Sequence, residues 1–480
     1  MSLSTLSLLW WLAVSAADVY TIGRAVSRGH GVEGTLAWVF AILAFPGAGA
    51  AAYLMLASPS IKRTTRRKRF TKAIARTGIV SDSVVPEAPG GEHDVRPPPG
   101  SILRMARALT GLPPTYGNRV ELLTENDQAF RHIEEALAAA QSHIWAEYFI
   151  IQSDETGHRF LDLLAARARA GVQVRLLFDA VGSWRIDTAR LAAIVAAGGQ
   201  VEAFLPFNPL RRRWAVHLRN HRKMIVIDGK LGFTGGMNVG DEYSGRARNK
   251  GLRHYRDSHL AISGPAVGDL AQTFCEDWTF ASGQALDCTP DPEPEPGSDY
   301  TVAIIPSGPD QQHNAHTLVT FTGISSAQER VYLTSPYFIP EASVMQALIG
   351  AAVRGVDVRV LVPETCDVAM VGPAGRAFFP DLAAAGVRIF EYRPSMLHAK
   401  TLVVDGEWGI VGSANWDIRS FRLNFELGAL VVHPDFARLL EDRFVEALSS
   451  CNELTARAID GWSFTRRLRY GAARLLAPLL

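Results

Sequence analysis

Two stretches of the chain carry the same spaced set of chemically active side chains, in the pattern H-x-K-x4-D. The two sets are His221, Lys223 and Asp228, and His398, Lys400 and Asp405. A glycine-containing turn and an asparagine, Asn238 or Asn415, follow each set at the same distance. A single H-x-K pair would suit a structural surface strand. A copy repeated in register, with glycine and asparagine included, favours a functional site.

The imidazole, ammonium and amide groups of these sets suit chemistry on a phosphodiester. Displacement at phosphorus needs a nucleophile, stabilisation of charge on the non-bridging oxygens, and a proton for the leaving alkoxide. An imidazole can be nucleophile or acid because its pKa lies near neutrality. Lysine and asparagine side chains can hold phosphate oxygens without a metal. We therefore predict one site in which two histidines flank one phosphorus atom, with no cofactor and no metal.

The local sequence around each motif predicts how its side chains are placed. The histidine and lysine of H-x-K share one face of a strand, because alternate residues of a strand point the same way. The Asp-Gly pairs at 228–229 and 405–406 favour tight turns, so each strand is predicted to fold back as a hairpin. Asp228 and Asp405 lie at the turns and at an odd spacing from the histidines. Their position favours a structural role over a catalytic one.

Alternating helical and extended patterns surround both motifs. The first half has predicted helices at 130–140 and 160–170 and strands at 144–150 and 172–178, and the second has strands at 331–338 and 356–362 around a helix at 344–354. This order predicts an α/β fold in which two similar halves pack together.

Breaks in composition divide the chain. Stretches rich in proline and glycine at 80–100 and in proline and acids at 289–297 predict exposed connections. The predicted divisions are membrane helices at 1–60, a basic juxtamembrane segment and linker at 61–115, the two halves at 116–288 and 298–450, and a basic amphipathic tail at 451–480.

The N-terminal region contains two apolar runs, from Leu3 to Ile22 and from Leu36 to Ala57. Each is long enough to cross a hydrocarbon layer of roughly 30 Å as a helix. Asp18 interrupts the first run, and Pro46 can kink the second. The basic stretch from 62 to 72 marks a cytoplasmic side. We predict a transmembrane hairpin with the catalytic part in the cytoplasm; a cleaved signal peptide is the alternative for the first run.

Composition excludes several classes of protein. A chain of 480 residues is too long for one ordinary core. A net charge of +1 gives no general case for nucleic-acid binding, which needs a basic surface. The scattered cysteines predict neither a disulfide framework nor a zinc site; they are Cys275, Cys288, Cys366 and Cys451.

The duplicated motif resembles that of the phospholipase D superfamily. The longer strings at 221–238 and 412–426 resemble the bacterial cardiolipin synthases in particular. The resemblance implies a ping-pong transfer in the inner membrane: one histidine attacks the phosphorus of phosphatidylglycerol, glycerol leaves with a proton from the other, and a second phosphatidylglycerol accepts the phosphatidyl group. It implies that His221 is the nucleophile and His398 the acid and base, although the nearly symmetric sequence leaves that choice open.

The resemblance also implies roles for residues around the histidines. The catalytic set is formed by the histidine, lysine and aspartate of both motifs. The implied phosphate binders are Lys223, Lys400, Asn238, Asn415 and Ser413. Gly236 stands where many relatives have serine. Glu426 is the implied carboxylate partner of His398, and Asp257 is a candidate partner of His221, with a surface ion pair as its alternative.

Two basic regions could contact anionic membrane lipids. The first includes Arg211, Arg212, Arg213, Arg219 and Arg222, for which a solvated face is the alternative. The second is the tail at 462–480, which suits either an interfacial helix or a helix packed on the core. Three functions compete with a synthase: a membrane-bound phospholipase D hydrolase, a nuclease of the same superfamily, and a non-catalytic membrane scaffold.

Overall fold

The computed structural model describes residues 3–27, 31–56, 64–65, 67–69, 71–72, 99–206, 218–246, 254–286, 288 and 292–475. The chain divides into two compact units, Met1–Arg66 and Arg67–Leu480. Of the predicted connections, 80–98 and 289–291 lie outside the described residues, as do Arg211, Arg212 and Arg213.

The first unit contains three helices within its described residues. They are α1 (Leu3–Ser27), α2 (Gly31–Ala44) and α3 (Ala48–Leu56). The stretch Thr5–Ser27 is long and apolar enough to cross a membrane, by length and composition alone. The sequence predicts a kink at Pro46 in the second apolar run, and the chain turns there between two separate helices, α2 and α3, because the ring and missing N–H of proline disfavour a helix interior.

The charge inside the first apolar run has a partner at this break. The Asp18 carboxylate accepts a hydrogen bond of 3.0 Å from the backbone N–H of Gly47. Gly47 has a φ of 75°, in the left-handed region that favours glycine. Asp18 of α1 therefore supports the turn that ends α2.

The second unit contains both strands and helices, which alternate over parts of each half. Its strands are β1 (Thr115–Leu123), β2 (His143–Tyr148), β3 (Gln173–Asp179), β4 (Gln200–Phe204), β5 (Met224–Ile227), β6 (Leu231–Gly235), β7 (Tyr255–Arg256), β8 (His259–Ser263), β9 (Tyr300–Ser307), β10 (Arg330–Thr334), β11 (Asp357–Pro363), β12 (Arg388–Tyr392), β13 (Met396–Leu397), β14 (Thr401–Val404), β15 (Trp408–Gly412), β16 (Glu426–Val432) and β17 (Cys451–Glu453). Its helices are α4 (Pro99–Thr110), α5 (Asn126–Ala139), α6 (Glu155–Arg169), α7 (Thr188–Ala196), α8 (Ala266–Ser282), α9 (Ala315–Ser326), α10 (Ala342–Val353), α11 (Val371–Arg376), α12 (Phe379–Ala384), α13 (Ile418–Arg422), α14 (Pro434–Leu448), α15 (Ala456–Asp460) and α16 (Phe464–Arg474).

One 15-stranded sheet runs through both halves, in the order β17-β12-β11-β10-β14-β15-β16-β9-β1-β8-β6-β5-β2-β3-β4. The antiparallel pair of β1 and β9 lies at its centre. Outward from this pair, β8, β6, β5, β2, β3 and β4 on one side correspond to β16, β15, β14, β10, β11 and β12 on the other. The predicted pair of similar α/β halves is therefore confirmed, and the two halves share one continuous sheet.

The predicted elements of both halves form where the sequence pattern places them. Strands β2, β3 and β4 of the first half pair in parallel, as do β10, β11 and β12 of the second, which is expected of alternating strands and helices. Most residues of these strands are buried, although β4 is mainly half-buried, and each half has its own hydrophobic cluster. Burying one Val, Leu or Ile side chain stabilises such a core by roughly 1.5–3 kcal/mol.

Two of the four cysteines form a disulfide that the sequence did not indicate. Cys275 of α8 is joined by a disulfide to Cys288. Helix α8 is followed by Gly283, whose φ of 84° reverses the chain and returns it toward Cys275. The sequence predicted no disulfide framework, and it did not indicate this single pair, since the spacing of the cysteines does not reveal the reversal. Cys366 and Cys451 are free thiols.

Candidate active site

Each H-x-K pair lies in the extended segment directly before a hairpin, before β5 in the first half and before β14 in the second. The hairpins turn at Asp228-Gly229, with φ of 54° and 67°, and at Asp405-Gly406, with φ of 53° and 65°. Two successive positive φ angles are typical of the turn that Asp-Gly favours. The predicted hairpins are confirmed, with the histidine and lysine just ahead of the strand.

The motif aspartates, at the far ends of β5 and β14, connect each of these strands to the start of the neighbouring strand. The Asp228 carboxylate accepts bonds of 2.8, 2.7 and 2.9 Å from the backbone N–H groups of 141–143, at the start of β2. Asp405 accepts bonds of 2.9, 2.8 and 2.9 Å from those of 328–330, at the start of β10. These contacts support the structural role and not the catalytic role that the family motif implies.

His221 is buried and held by groups of the second half. Its Nδ1 lies 2.9 Å from Oε2 of Glu426 and 3.1 Å from the carbonyl oxygen of Ser413. The Ser413 hydroxyl donates to the same Glu426 oxygen at 2.5 Å, and Asn424 donates to the other at 3.1 Å. With a proton on Nδ1 directed to the carboxylate, Nε2 keeps the lone pair that a nucleophile needs.

His398 is buried and held by a carboxylate of the first half. Its Nδ1 lies 2.6 Å from Oδ2 of Asp257. The other carboxylate oxygen of Asp257 accepts a bond of 2.8 Å from the backbone N–H of Ser258. Lys400 lies close by, with its Nζ 3.2 Å from Nε2 of His398 and 3.7 Å from Asp257.

Each histidine is therefore bonded to a carboxylate of the other half. The predicted pairing of Glu426 with His398 and of Asp257 with His221 is wrong. The reason lies in the backbone. The N–H of His221 donates to the carbonyl of Phe425 at 2.8 Å, and that of His398 donates to the carbonyl of Arg256 at 2.7 Å. Each histidine thus runs beside the residue that precedes the other half's carboxylate.

The electrostatic environment also links the two motifs. Burial, opposed by Glu426 and reinforced by Lys223, lowers the pKa of His221. Burial and Lys400 lower the pKa of His398 to about 4. Burial would raise the pKa of Glu426, but His221 and Lys223 hold it at about 2. Both carboxylates are therefore ionised, and both imidazoles are neutral, at neutral pH.

The two lysines are fully enclosed beside the histidines. Burial, opposed by Glu426 and reinforced by Lys400, lowers the pKa of Lys223 to about 7. Burial lowers the pKa of Lys400 to about 8, while Asp257 and Glu426 oppose that shift. Charged groups of both halves thus shift the pKa of each lysine, and the two motifs share one electrostatic environment.

The two motif asparagines differ. Asn238 donates to the hydroxyl of Tyr243 at 2.9 Å and accepts from the N–H of Ile150 at 3.3 Å. Asn415 is buried, and its Oδ1 has no hydrogen-bond partner among the described residues. The amide in the second half is therefore the less committed of the two to a partner within the protein.

Sequence reasoning missed the aromatic walls of the site. The ring of Phe149 lies 4.8 Å from that of His221. Tyr255 stacks on His398 at 5.2 Å with planes 13° apart, and Tyr243 meets it edge-on at 5.3 Å. The only sequence signal for Tyr255 was its place two residues before Asp257.

A buried charge cluster behind His221 was also missed. Arg222 bonds Asp277, and its Nε donates to the carbonyl of Glu426 at 3.1 Å. Asp277 also pairs with Lys68, whose ammonium lies 3.8 Å from the ring centre of Phe425. Glu147 is enclosed beside them, and burial together with Asp277 raises its pKa. The basic segment before residue 72 therefore contributes to the catalytic unit.

The predicted lipid-facing basic patch is wrong for its two described members. Arg219 is buried, 3.4 Å from Asp179, and Arg222 is buried in the cluster with Asp277. Both guanidinium groups are directed at interior carboxylates because unpaired buried charges are costly. Neither offers a surface for lipid headgroups.

A cavity of about 720 Å³ adjoins the site on the Asp257 side. Its lining includes Tyr255, Arg256 and Asn126, and Asn126 bonds the backbone of Tyr255 and Asp257. This volume is within the usual range for small-molecule sites. Tyr255, whose ring stacks on His398, therefore lines a space large enough for a polar headgroup.

Two α/β halves on one sheet, with an H-x-K motif from each in a common site, define a protein of the phospholipase D-like class. The family model described as "Cardiolipin synthase, PLD-like domain" matches residues 133–278 and 321–448. The chain belongs to the cardiolipin synthase family of phosphatidyltransferases.

Relatives extend this likeness over nearly the whole chain. A cardiolipin synthase of Geobacillus kaustophilus is 37% identical, over 93% of this chain and 89% of its own. Cardiolipin synthase A of Pseudomonas fluorescens is 34% identical, over 98% of each chain. The crystal structure of phosphatidylserine synthase from Haemophilus influenzae has the same fold, with a TM-score of 0.60 and 14% identity, covering 79% of this chain and 100% of that one.

Proposed function

We propose that this protein makes cardiolipin by transferring a phosphatidyl group from one phosphatidylglycerol to another, with release of glycerol. The observation that carries the proposal is a pair of hydrogen bonds between the halves, from His221 to Glu426 and from His398 to Asp257. These bonds bring the two imidazoles into one site. The family of the chain supplies the reaction class, and this geometry suits a two-step displacement at phosphorus.

In the first step, Nε2 of His221 attacks the phosphorus of phosphatidylglycerol. A phosphorus–nitrogen bond forms, the bond to the glycerol oxygen breaks, and that oxygen takes a proton from Nε2 of His398, which binds this proton from the solvent when the substrate phosphate approaches Lys400. Glu426 stabilises the positive charge that develops on His221, because its carboxylate accepts from Nδ1. Lys223, Lys400 and the two motif asparagines stabilise the charge on the non-bridging oxygens.

In the second step, a hydroxyl of another phosphatidylglycerol gives its proton to His398 and attacks the phosphatidyl-histidine. The phosphorus–nitrogen bond breaks, and cardiolipin leaves. Lys400 contributes to the low pKa of His398, so an anionic phosphate next to Lys400 favours protonation of His398. Substrate binding thereby prepares the acid.

The membrane topology belongs to the same proposal. The helix α1 and the apolar helices that follow it suit a membrane-inserted region, with phosphatidylglycerol drawn from the inner membrane of a bacterial cell. We propose that the region from 1 to 60 crosses this membrane twice and that both catalytic halves, at 116–288 and 298–450, lie in the cytoplasm.

The test uses the full chain in vesicles of phosphatidylglycerol labelled in the phosphate. We expect cardiolipin and glycerol in equal amounts, and a labelled adduct on His221 that is stable to base and labile to acid. His221→Ala should abolish both product and adduct. Phosphatidic acid as the main product would establish the hydrolase instead, and an adduct retained in His221→Ala but lost in His398→Ala would reverse the two roles.

A further inference from the structure

The C-terminal helix α16 is fixed to the second half along one face. Tyr470 and Ala473 are buried in the hydrophobic cluster that also contains Val371 and Phe378 of the α11–α12 region. The ring of Tyr470 meets that of Trp462 edge-on at 5.1 Å. The helix therefore packs on the core, and its orientation on the catalytic unit is set.

The opposite face of α16 exposes large apolar side chains. Phe464 is 78% exposed, Leu468 60% and Leu475 81%. Their spacings of four and seven residues place all three on one face of a helix. A line of large apolar side chains in water is unfavourable, and such a patch marks an interaction surface.

Cations border this apolar line. Arg467 and Arg469 are exposed on either side of the line, and no acidic residue occurs from 461 to 475. Arg466 is exposed as well but bonds the hydroxyl of Tyr470 at 2.9 Å, and Arg474 lies over the ring of Phe378. Arg467 is held near the start of the helix by a bond of 3.2 Å to the carbonyl of Trp462. Apolar side chains bordered by arginines complement a surface with acyl chains beneath anionic headgroups.

A second pair of exposed apolar side chains lies directly before α11, in the region on which the buried face of α16 packs. Val368 and Met370, directly before α11, are 41% and 40% exposed. Their neighbour Asp367 accepts a bond of 2.8 Å from the hydroxyl of Tyr337 and one of 3.3 Å from that of Tyr255, the ring stacked on His398. The short segment at 367–370 thus combines exposed apolar side chains with a carboxylate bonded to the wall of the site.

We propose that α16 is an interfacial helix that docks the catalytic unit on an anionic bilayer, with Phe464, Leu468 and Leu475 among the acyl chains and the arginines at the headgroups. This contact is separate from the apolar helices of the first unit. It holds the unit with the Asp367 segment close to the lipid surface from which the substrate comes.

The first test places a probe on the surface. Leu468→Cys, in a Cys366→Ser, Cys451→Ser background, carries an environment-sensitive fluorophore, and the full chain is reconstituted in vesicles of phosphatidylglycerol and phosphatidylcholine. We expect a blue shift and quenching by lipids that bear a quencher in the acyl chain, both smaller in pure phosphatidylcholine. The same probe at Val353, a 72% exposed valine at the end of α10, is the matched control and should stay in water.

Several outcomes would overturn the proposal. No quenching at 468 would show that the helix does not enter the bilayer. Equal quenching at 353 would show that the contact is not specific to α16. A blue shift in detergent without lipid that grows with protein concentration would assign the surface to a second copy of the chain.

The second test separates docking from chemistry. Leu468→Asp should raise the apparent KM for phosphatidylglycerol vesicles roughly tenfold, about 1.4 kcal/mol of interfacial binding. The activity in detergent micelles and the unfolding temperature should stay at the wild-type level. Val353→Asp should change neither activity. An unchanged vesicle KM in Leu468→Asp, or an equal loss in vesicles and micelles, would contradict the role of the helix in docking.

Discussion

The two halves orient their histidines with different side chains. Both histidines are buried and both bind a carboxylate through Nδ1, but His221 uses the long side chain of Glu426 and His398 the short one of Asp257. Ser413 fills the space beside Glu426 and donates to it. At the corresponding place in the first half stands Gly236, where a Cβ would overlap the Asp257 carboxylate. The glycine and the shorter acid form one matched set, and the serine and the longer acid form the other.

The residue inside each H-x-K motif shows a second difference. Arg222 extends into the charge cluster with Asp277 and Lys68, whereas Ala399 is a small buried residue. The first half therefore supports its histidine from behind with ion pairs and the second with apolar packing. A duplicated motif preserves the reacting groups, while the groups that support them differ between the copies.

The largest effects should come from the two carboxylates. Glu426→Gln and Asp257→Asn should each lower kcat roughly 100- to 10,000-fold, the range for acid–base assistance. With a nitrophenyl leaving group, which needs no proton, Asp257→Asn should still release nitrophenol in a first turnover, because His398 is then not required as an acid. Glu426→Gln should remain slow, because its nucleophile is affected. A stopped-flow measurement of nitrophenol release distinguishes them.

Equal slowing of both variants with this substrate would contradict the separate roles of the two histidines. Asp405→Asn is the matched control for loss of a carboxylate. It should lower the unfolding temperature, because it weakens bonds to backbone N–H groups, and it should leave the ratio of the rates for the two leaving groups unchanged.

Substitution of Gly236 should lower kcat more than substitution of its counterpart Ser413. Gly236→Ala should lower kcat by about 100-fold, because the new methyl group displaces the Asp257 carboxylate from His398, a lost charge-assisted bond of about 3 kcal/mol. Ser413→Ala should lower kcat by about tenfold or less, because Glu426 keeps its bond to His221. Steady-state kinetics in mixed micelles compares the two. A larger loss in Ser413→Ala would show that the halves are not matched in this way.

The charge cluster of the first half should contribute to stability. Lys68→Met should lower the free energy of unfolding by about 3 kcal/mol, because a buried pair loses one partner while Arg222 still compensates Asp277. Lys230→Met, at an exposed lysine of the same half, should change it by less than about 0.5 kcal/mol. Chemical denaturation measures both. Equally small changes in the free energy of unfolding for Lys68→Met and Lys230→Met would contradict the burial of Lys68.

Acid should destabilise both halves through buried histidines outside the motifs. Burial lowers the pKa of His259 in the first half and of His316 in the second to about 4, from a usual 6.5. Between pH 6.5 and 4 the unfolded chain binds more protons than the folded one, so stability falls as the pH falls through this window. His316→Leu should reduce this loss by on the order of 2 kcal/mol. His313→Leu, at an exposed histidine, is the matched control for the loss of an imidazole.

Much of the fold could be predicted because it rests on local patterns. Apolar runs with helical or alternating spacing located the strands and helices of both halves, and Asp228-Gly229 and Asp405-Gly406 located the hairpins through the φ angles that this pair favours. The second apolar run was less well predicted. Pro46 ends a helix there, and the partner that accommodates the turn, Asp18, lies far away in the sequence.

The sequence by itself identified the groups that we propose for the chemistry: two histidines, two lysines and two asparagines in repeated spacing. It could not determine that Glu426 serves His221 and Asp257 serves His398, because a motif records spacing along one strand and not which strand lies across from it. The same limit hid Lys68 and the pairing of Cys275 with Cys288. Contacts between residues distant in the chain depend on how the halves join along one sheet, and that was decided only when the whole second unit packed.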